Sequence, residues 1–208
     1  MRLLFIFLNV LFPQNNTERL VAGAKELSTL IDPYADEEGM VALLPYRAPL
    51  IKACITEAKF RDNTKAQRLL ACALFAYLED WGTDLRAFGI SSIRLVPVPL
   101  SSQRLKERGF NQTERILRMT TLETLGMKLD THTLVRTHHT KPQTSLGRRA
   151  RIENIYGAFS VTVPPDPTHT YIVFDDVRTT GATLQAAIHA LREAGATRVF
   201  GLALAHSS

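Results

Sequence analysis

The stretch Tyr171-Ile-Val-Phe-Asp175-Asp176-Val177-Arg178-Thr179-Thr180-Gly181-Ala182-Thr183 constrains the fold of this 208-residue chain more than any other. Tyr171 to Phe174 is a buried-strand pattern that runs into two acids. A turn of small residues then opens a helix expected over Thr183 to Ala194. Leu184, Ala187, Ile188 and Leu191 share one stripe of it, and Gly195 caps it. Val199 to Ala205 reads as a second apolar strand. Strand, helix and strand within about 35 residues make a βαβ unit, and hence a parallel sheet.

The same residues carry the chemistry. Two carboxylates fall at the carboxyl end of a parallel strand, where open α/β sheets bind ligands. Gly181 permits close backbone approach, and the amides from Thr179 to Thr183 face outward at the positive end of a helix dipole. Such a cradle suits a phosphate monoester. The adjoining acids can take sugar hydroxyls or a hydrated Mg²⁺. An acid pair or a Thr-Thr-Gly turn alone is usually structural; their conjunction is much rarer. Arg178 is read two ways, as an extra phosphate contact or as a cation pointing to solvent.

The remainder fits one α/β domain with a small appendage. Val41 to Leu44 reads as a strand, and Pro49 starts a helix with Leu50, Ile51, Cys54, Ile55 and Ala58 on one face. Thr64 to Trp81 is the clearest amphipathic helix. In Ile93 to Leu100 the prolines at 97 and 99 cannot donate ladder bonds, so this strand ends there or lies where those donors are not needed. A helix is expected over Leu20 to Ile31, after a turn at residues 14–17, and another over Asn111 to Leu125 with Gly126 as cap. Thr137 to Arg151 is polar and basic and reads as an exposed functional loop.

Charge and cysteines narrow the class. Lys plus Arg number 25 against 20 acids, a net +5. From Arg104 to Arg151 there are eleven Lys/Arg and four Asp/Glu, so the basic excess is concentrated there. That favours a polyanionic partner. Arg104, Lys106, Arg108, Arg115 and Arg118 are candidates to track a nucleic-acid backbone, and Phe110 and Tyr156 to stack on bases, against a bland reading as salt bridges and packing. Two cysteines, Cys54 and Cys72, cannot build a disulfide framework or a four-cysteine zinc site; a reduced, cytoplasmic protein is expected, with both thiols in the core. Leu3 to Phe12 is an apolar run behind Arg2, half the length of a membrane span. Asn9 interrupts it and Pro13 ends it, so it reads as a short docked helix rather than a secretion leader.

The thirteen residues from Tyr171 to Thr183 resemble the phosphoribosyl pyrophosphate (PRPP) signature of type I phosphoribosyltransferases at every position. A second block is similar to the ComF family: Leu95-Val-Pro-Val-Pro-Leu100, Arg104-Leu-Lys-Glu-Arg-Gly-Phe-Asn-Gln112, Lys141-Pro-Gln-Thr144, Arg148, Arg151-Ile-Glu-Asn154 and Gly157-Ala-Phe159. The resemblance implies a type I phosphoribosyltransferase fold, a central parallel sheet flanked by helices, over residues 41–208. Residues 1–40 form a degenerate N-terminal segment at the position of the family's zinc ribbon. That module needs four cysteines and none precedes Cys54, so zinc is not expected.

The resemblance also assigns roles. Asp175 and Asp176 would be the catalytic acids, contacting the ribose hydroxyls directly or through Mg²⁺, which is the expected cofactor. Thr179, Thr180, Gly181, Ala182 and Thr183 would hold the 5′-phosphate. Ser101, Ser102 and Arg104 would form the pyrophosphate loop, and Lys141 and Arg148 would be the anion ligands of a flexible flap. His138 and His139, in that flap, are read as incidental. PRPP is the expected ligand, in a role in DNA uptake (competence) or DNA utilisation. A phosphoribosyltransferase with an unidentified acceptor, a single-stranded-DNA-binding protein and a PRPP sensor without turnover remain open readings. Single-stranded DNA, other competence proteins and a second copy of the chain are open as partners, and no membrane span is expected.

Overall fold

The computed structural model describes residues 15–36, 39–90, 92–137 and 157–207. Among the described residues, six strands form one sheet: β1 (Tyr34–Ala35), β2 (Val41–Pro45), β3 (Ile93–Pro97), β4 (Met127–Leu129), β7 (Thr170–Arg178) and β8 (Arg198–His206). Their spatial order is β1-β2-β8-β7-β3-β4. β1 pairs antiparallel at one edge, and every other pairing is parallel. A separate antiparallel ribbon joins β5 (Leu134–Arg136) to β6 (Phe159–Val161).

Helices cover both faces. One face packs on α1 (Asn16–Gly23), α2 (Pro49–Phe60), α3 (Thr64–Ala87) and α5 (Gln112–Met119), burying Leu44, Leu70, Leu74, Ile116, Ile172 and Phe174. The other packs on α6 (Ala182–Glu193) and the β5–β6 ribbon, burying Val96, Val173, Leu184, Leu191 and Ala203. Burial on both faces is why the central strands read as continuous apolar runs. It also fixes where the acids go. Ile172 and Phe174 point to the α2 side and Tyr171 and Val173 to the α6 side. Side chains alternate along a strand, so Asp175 is sent toward α6 and Asp176 toward α2 and α5.

The proline puzzle in β3 resolves by pairing. The Val98 amide donates to the Phe174 carbonyl at 2.8 Å, so the amide-bearing side of residue 97 faces away from β7. There the neighbour β4 has already ended, since Leu129 is the partner of Leu95. Pro97 lacks a donor where none is called for.

Two expectations on secondary structure and one on burial are corrected. The helix expected over Leu20–Ile31 starts at Asn16, because Asn15 Oδ1 accepts from the Glu18 amide at 2.9 Å and caps it. It ends at Gly23, and only a 3₁₀ turn at Ser28–Leu30 follows. The Asn111–Leu125 helix breaks after Met119: Thr120 Oγ1 back-bonds to the Ile116 carbonyl, Thr121 turns left-handed and a 3₁₀ turn covers Leu122–Leu125. Cys54 is buried, but Cys72 lies on the solvent side of α3.

α1 is tied to the body through Glu57, which is 1% exposed and accepts from Thr17 Oγ1 at 2.5 Å and Arg61 Nη1 at 2.6 Å. Val21 and Leu27 enter the same core as α2 and α3. No helix among the described residues is long and apolar enough to cross a membrane.

Candidate functional site

β7 runs straight through both acids and ends at Arg178; Thr179 and Thr180 then turn the chain into α6. Gly181 makes the turn at φ +78°, in the left-handed region. A Cβ there would stand 2.7 Å from Met40 Cε, so the position rejects a side chain on two counts. The N-cap residue Gly181 has no side chain to cap α6, so most of its first amides keep their polarity for an external acceptor. Thr180 Oγ1 accepts from the Ala182 amide at a long 3.4 Å. The turn encloses a shallow recess of about 30 Å³ lined by Asp175 and by Val177 to Leu184. Larger hollows lie between α6 and β8 (about 350 Å³) and beside α5 and β4 (about 530 Å³), but neither joins an acid pair to an open helix end.

The two acids have unequal surroundings. Asp176, 6% exposed, receives Gln112 Nε2 at 2.9 Å and Lys59 Nζ at 3.1 Å on Oδ2, and the Val177 amide at 2.8 Å on Oδ1. Asp175 Oδ1 accepts the Asp176 amide at 2.8 Å. Burial first, and then the Asp176 charge, push the Asp175 carboxyl up to about 7. An ionised Asp175 is therefore a group in want of a cation.

Cations converge opposite. Ser101, 6% exposed, caps α4 (Ser102–Arg108) by accepting from the Arg104 amide at 3.3 Å, while Ser102 and Arg104 stay exposed on its first turn. Gly109 ends α4 at φ +78°. Arg104 acts electrostatically on Arg108 and on Arg136. Burial, together with that like charge, pulls both guanidinium groups below the ordinary arginine value, and Asp176 and Asp175 respectively oppose the effect. Arg136 stacks over Phe159 at 5.1 Å, and its buried Nε has no hydrogen-bond partner among the described residues. Arg104, repelled by both Arg108 and Arg136 beside the acid pair, makes a set of cations that a multiply charged anion would relieve. Arg136 was missed in the sequence because it ends a three-residue strand with no motif around it. Gln112, Arg108 and Lys59, which reach the acid pair by way of Asp176, come from two other helices and α4.

Other predicted residues fall elsewhere. Arg178 does not point to solvent: Nη2 lies 3.2 Å from Asp36 Oδ2 and its guanidinium 5.2 Å from the Tyr34 ring centre, while it lines the recess at the turn with a buried Nε that has no hydrogen-bond partner among the described residues. Arg115 pairs with Asp62 and covers Phe110 at 4.5 Å, and Arg118 pairs with Glu114 at 2.7 Å. These contacts take two of the five candidate backbone-tracking cations and the Phe110 ring into the protein's own packing. Lys141, Arg148, His138, His139 and Tyr156, with most of the predicted flap, lie outside the described residues.

The fold and site define an α/β protein whose mostly parallel sheet carries an acid pair and an open helix N-terminus at its carboxyl edge. No family model matches the chain. The DNA utilization protein YhgH of Salmonella typhimurium is 33% identical over 161 residues, covering 77% of this chain and 68% of that protein. Competence protein F of Haemophilus influenzae is 31% identical over 170 residues, covering 80% and 72%. This chain belongs to the ComF family. A hypoxanthine phosphoribosyltransferase from Staphylococcus aureus overlays 64% of the chain and 62% of its own with a TM-score of 0.35 and 10% identity, too loose a likeness to argue from.

Proposed function

We propose that this chain binds PRPP with Mg²⁺ at the β7–α6 turn, as a phosphoribosyltransferase-like protein serving DNA uptake or DNA utilisation. The observation that carries the reading is one arrangement: the uncapped α6 N-terminus at Gly181, Asp175 beside it, and Arg104, Arg108 and Arg136 around the acid pair. The two ends of PRPP are a phosphate monoester and a pyrophosphate, and the sugar between them carries hydroxyls. The turn amides and the Thr179, Thr180 and Thr183 hydroxyls would take the 5′-phosphate. Asp175 would meet the ribose hydroxyls, and the arginines the pyrophosphate.

The residues present fit Mg²⁺. Two adjacent carboxyl groups, with no cluster of three or more potential ligands among the described residues, suit an ion that keeps waters and substrate oxygens in its shell. Asp175 and Asp176 would hold it, and its chemistry there would be neutralising the charge of departing pyrophosphate. In a transfer, the C1–oxygen bond breaks and its electron pair leaves with pyrophosphate. The acceptor's lone pair forms the new bond, and the acceptor gives up its proton. The chain's own part is positioning and exclusion of water, with no side-chain nucleophile.

The names of the two relatives, DNA utilization protein and competence protein, support the DNA-linked role. Calorimetric titration with PRPP, with and without Mg²⁺, tests the reading. Magnesium-dependent binding that disappears in the Asp175→Asn, Asp176→Asn double variant is expected. Absence of binding by the unaltered protein would overturn it. Release of pyrophosphate when nucleobases or amines are added separates a transferase from a PRPP sensor.

A further inference from the structure

On the other side of Asp176 from the phosphate turn lies a second, larger groove of about 310 Å³. Tyr46, Ile55, Lys59, Phe60, Asp176 and Thr179 line it. We infer that this groove receives an unstacked nucleobase, its plane against Phe60 and its polar edge toward Lys59, Asp176 and Thr179.

The argument starts from Phe60. Within α2, Ile51, Ala53, Cys54, Ile55 and Ala58 are buried, yet the ring that ends the helix is 67% exposed. It is not a stray apolar residue on an open surface, because charged groups are organised around it. The Arg108 guanidinium lies over the ring at 5.4 Å from its centre and Lys59 Nζ at 6.0 Å. Arg108 Nη1 donates to Gln112 Oε1 at 2.5 Å, Gln112 Nε2 donates to Asp176 Oδ2 at 2.9 Å, and Lys59 Nζ closes on the same oxygen at 3.1 Å. One continuous polar chain thus runs from the ring to the acid pair.

The groove therefore offers an aromatic face, donors on Lys59, a carboxylate acceptor and a hydroxyl on Thr179. A planar heterocycle with mixed donors and acceptors on its edge matches that set. An aliphatic ligand would leave the polar floor unmatched, and a plain anion would not use the ring. Flanking cations add attraction for the phosphates of a strand or nucleotide bearing the base. Its position as the acceptor place rests on the reading of the adjoining turn as a PRPP cradle. Asp175 faces that turn and Asp176 this groove, so a base held here lies next to the sugar end of PRPP.

Adenine, uracil and a short single-stranded oligothymidylate serve as probes, titrated into the full chain at low salt with and without PRPP and Mg²⁺. The variants are Phe60→Leu, which keeps the apolar bulk and removes the π face, and Phe60→Trp, which restores one. Loss of a single base–aromatic stack weakens binding by about tenfold or more. Phe60→Leu is expected to show that loss, Phe60→Trp to recover it, and PRPP affinity to stay unchanged in both. Binding of the free bases identifies a small-molecule acceptor; binding of the oligonucleotide alone identifies a strand. Probe affinities indifferent to Phe60→Leu, or no binding of any probe by the unaltered chain, would overturn the inference. Failure of PRPP to bind while probe binding still depends on Phe60 would remove the PRPP reading and leave the base site standing.

Discussion

Asp175→Asn is expected to make the metal-free protein more stable while abolishing its ligand binding. The Asp175 carboxyl is raised from the ordinary 3.8 to about 7 by burial and by the Asp176 charge. A proton is therefore bound more tightly in the folded chain than in the unfolded one. The stabilisation from that proton is complete below pH 4 and is lost as pH rises toward 7, levelling off above it. The gap is about three pH units at about 1.4 kcal/mol each, so ionising Asp175 costs the fold up to about 4 kcal/mol. Asp175 as a residue is only half-buried, so solvent screens some of this, leaving about 2–4 kcal/mol at pH 8. An asparagine keeps the Oδ1 contact to the Asp176 amide, recorded at 2.8 Å, and carries no charge. For a chain of this size 1 kcal/mol moves the melting temperature by about 2–4 °C. Thermal melts in chelator should place the variant about 5–12 °C above the unaltered protein at pH 8, with the gap closing by pH 4. A variant that melts at or below the unaltered protein at pH 8 would refute the electrostatic account of this site.

Gly181→Ala should lower PRPP affinity at least tenfold and cost about 1–2 kcal/mol, since φ +78° is strained for alanine and Met40 must move; calorimetry and a denaturant midpoint measure the two effects. Arg136→Met keeps an apolar stem over Phe159 but removes the charge, and should weaken pyrophosphate binding about tenfold with little change in melting temperature. Equal pyrophosphate affinity in that variant would take Arg136 out of the site. Glu57→Ala strips the buried link between α1 and α2 and should cost about 2–3 kcal/mol, read as a fall of about 5–10 °C in melting temperature. If limited proteolysis then released α1 no faster than before, that link would not be what holds the segment.

The β7–α6–β8 unit was legible from the chain alone because every determinant in it is local. Apolar residues set the strand, Gly181 permits the turn and a leucine-alanine stripe sets the helix, all within one continuous stretch. Alternation along β7 even carries the message that Asp175 and Asp176 face opposite sides, once both faces of the sheet are known to be covered. Short or competing signals were not legible. The three-residue strands β4, β5 and β6 are too brief to show a period, and Thr120 and Thr121 broke a helix whose apolar spacing ran on.

The sequence determined a parallel α/β fold and a glycine turn opening a helix after an acid pair, because backbone conformation and burial period are written in neighbouring residues. Only the tertiary structure decided what surrounds that turn. It brought Lys59, Arg108 and Gln112 to Asp176 from three separate helices, and Arg136 to Asp175 from a ribbon strand. It turned Arg178 inward onto Asp36 beside that turn, where its place in the motif had also allowed it to point to solvent. Electrostatic partnership depends on distance in space, and spacing along the chain does not encode distance between elements that meet only when the sheet is assembled.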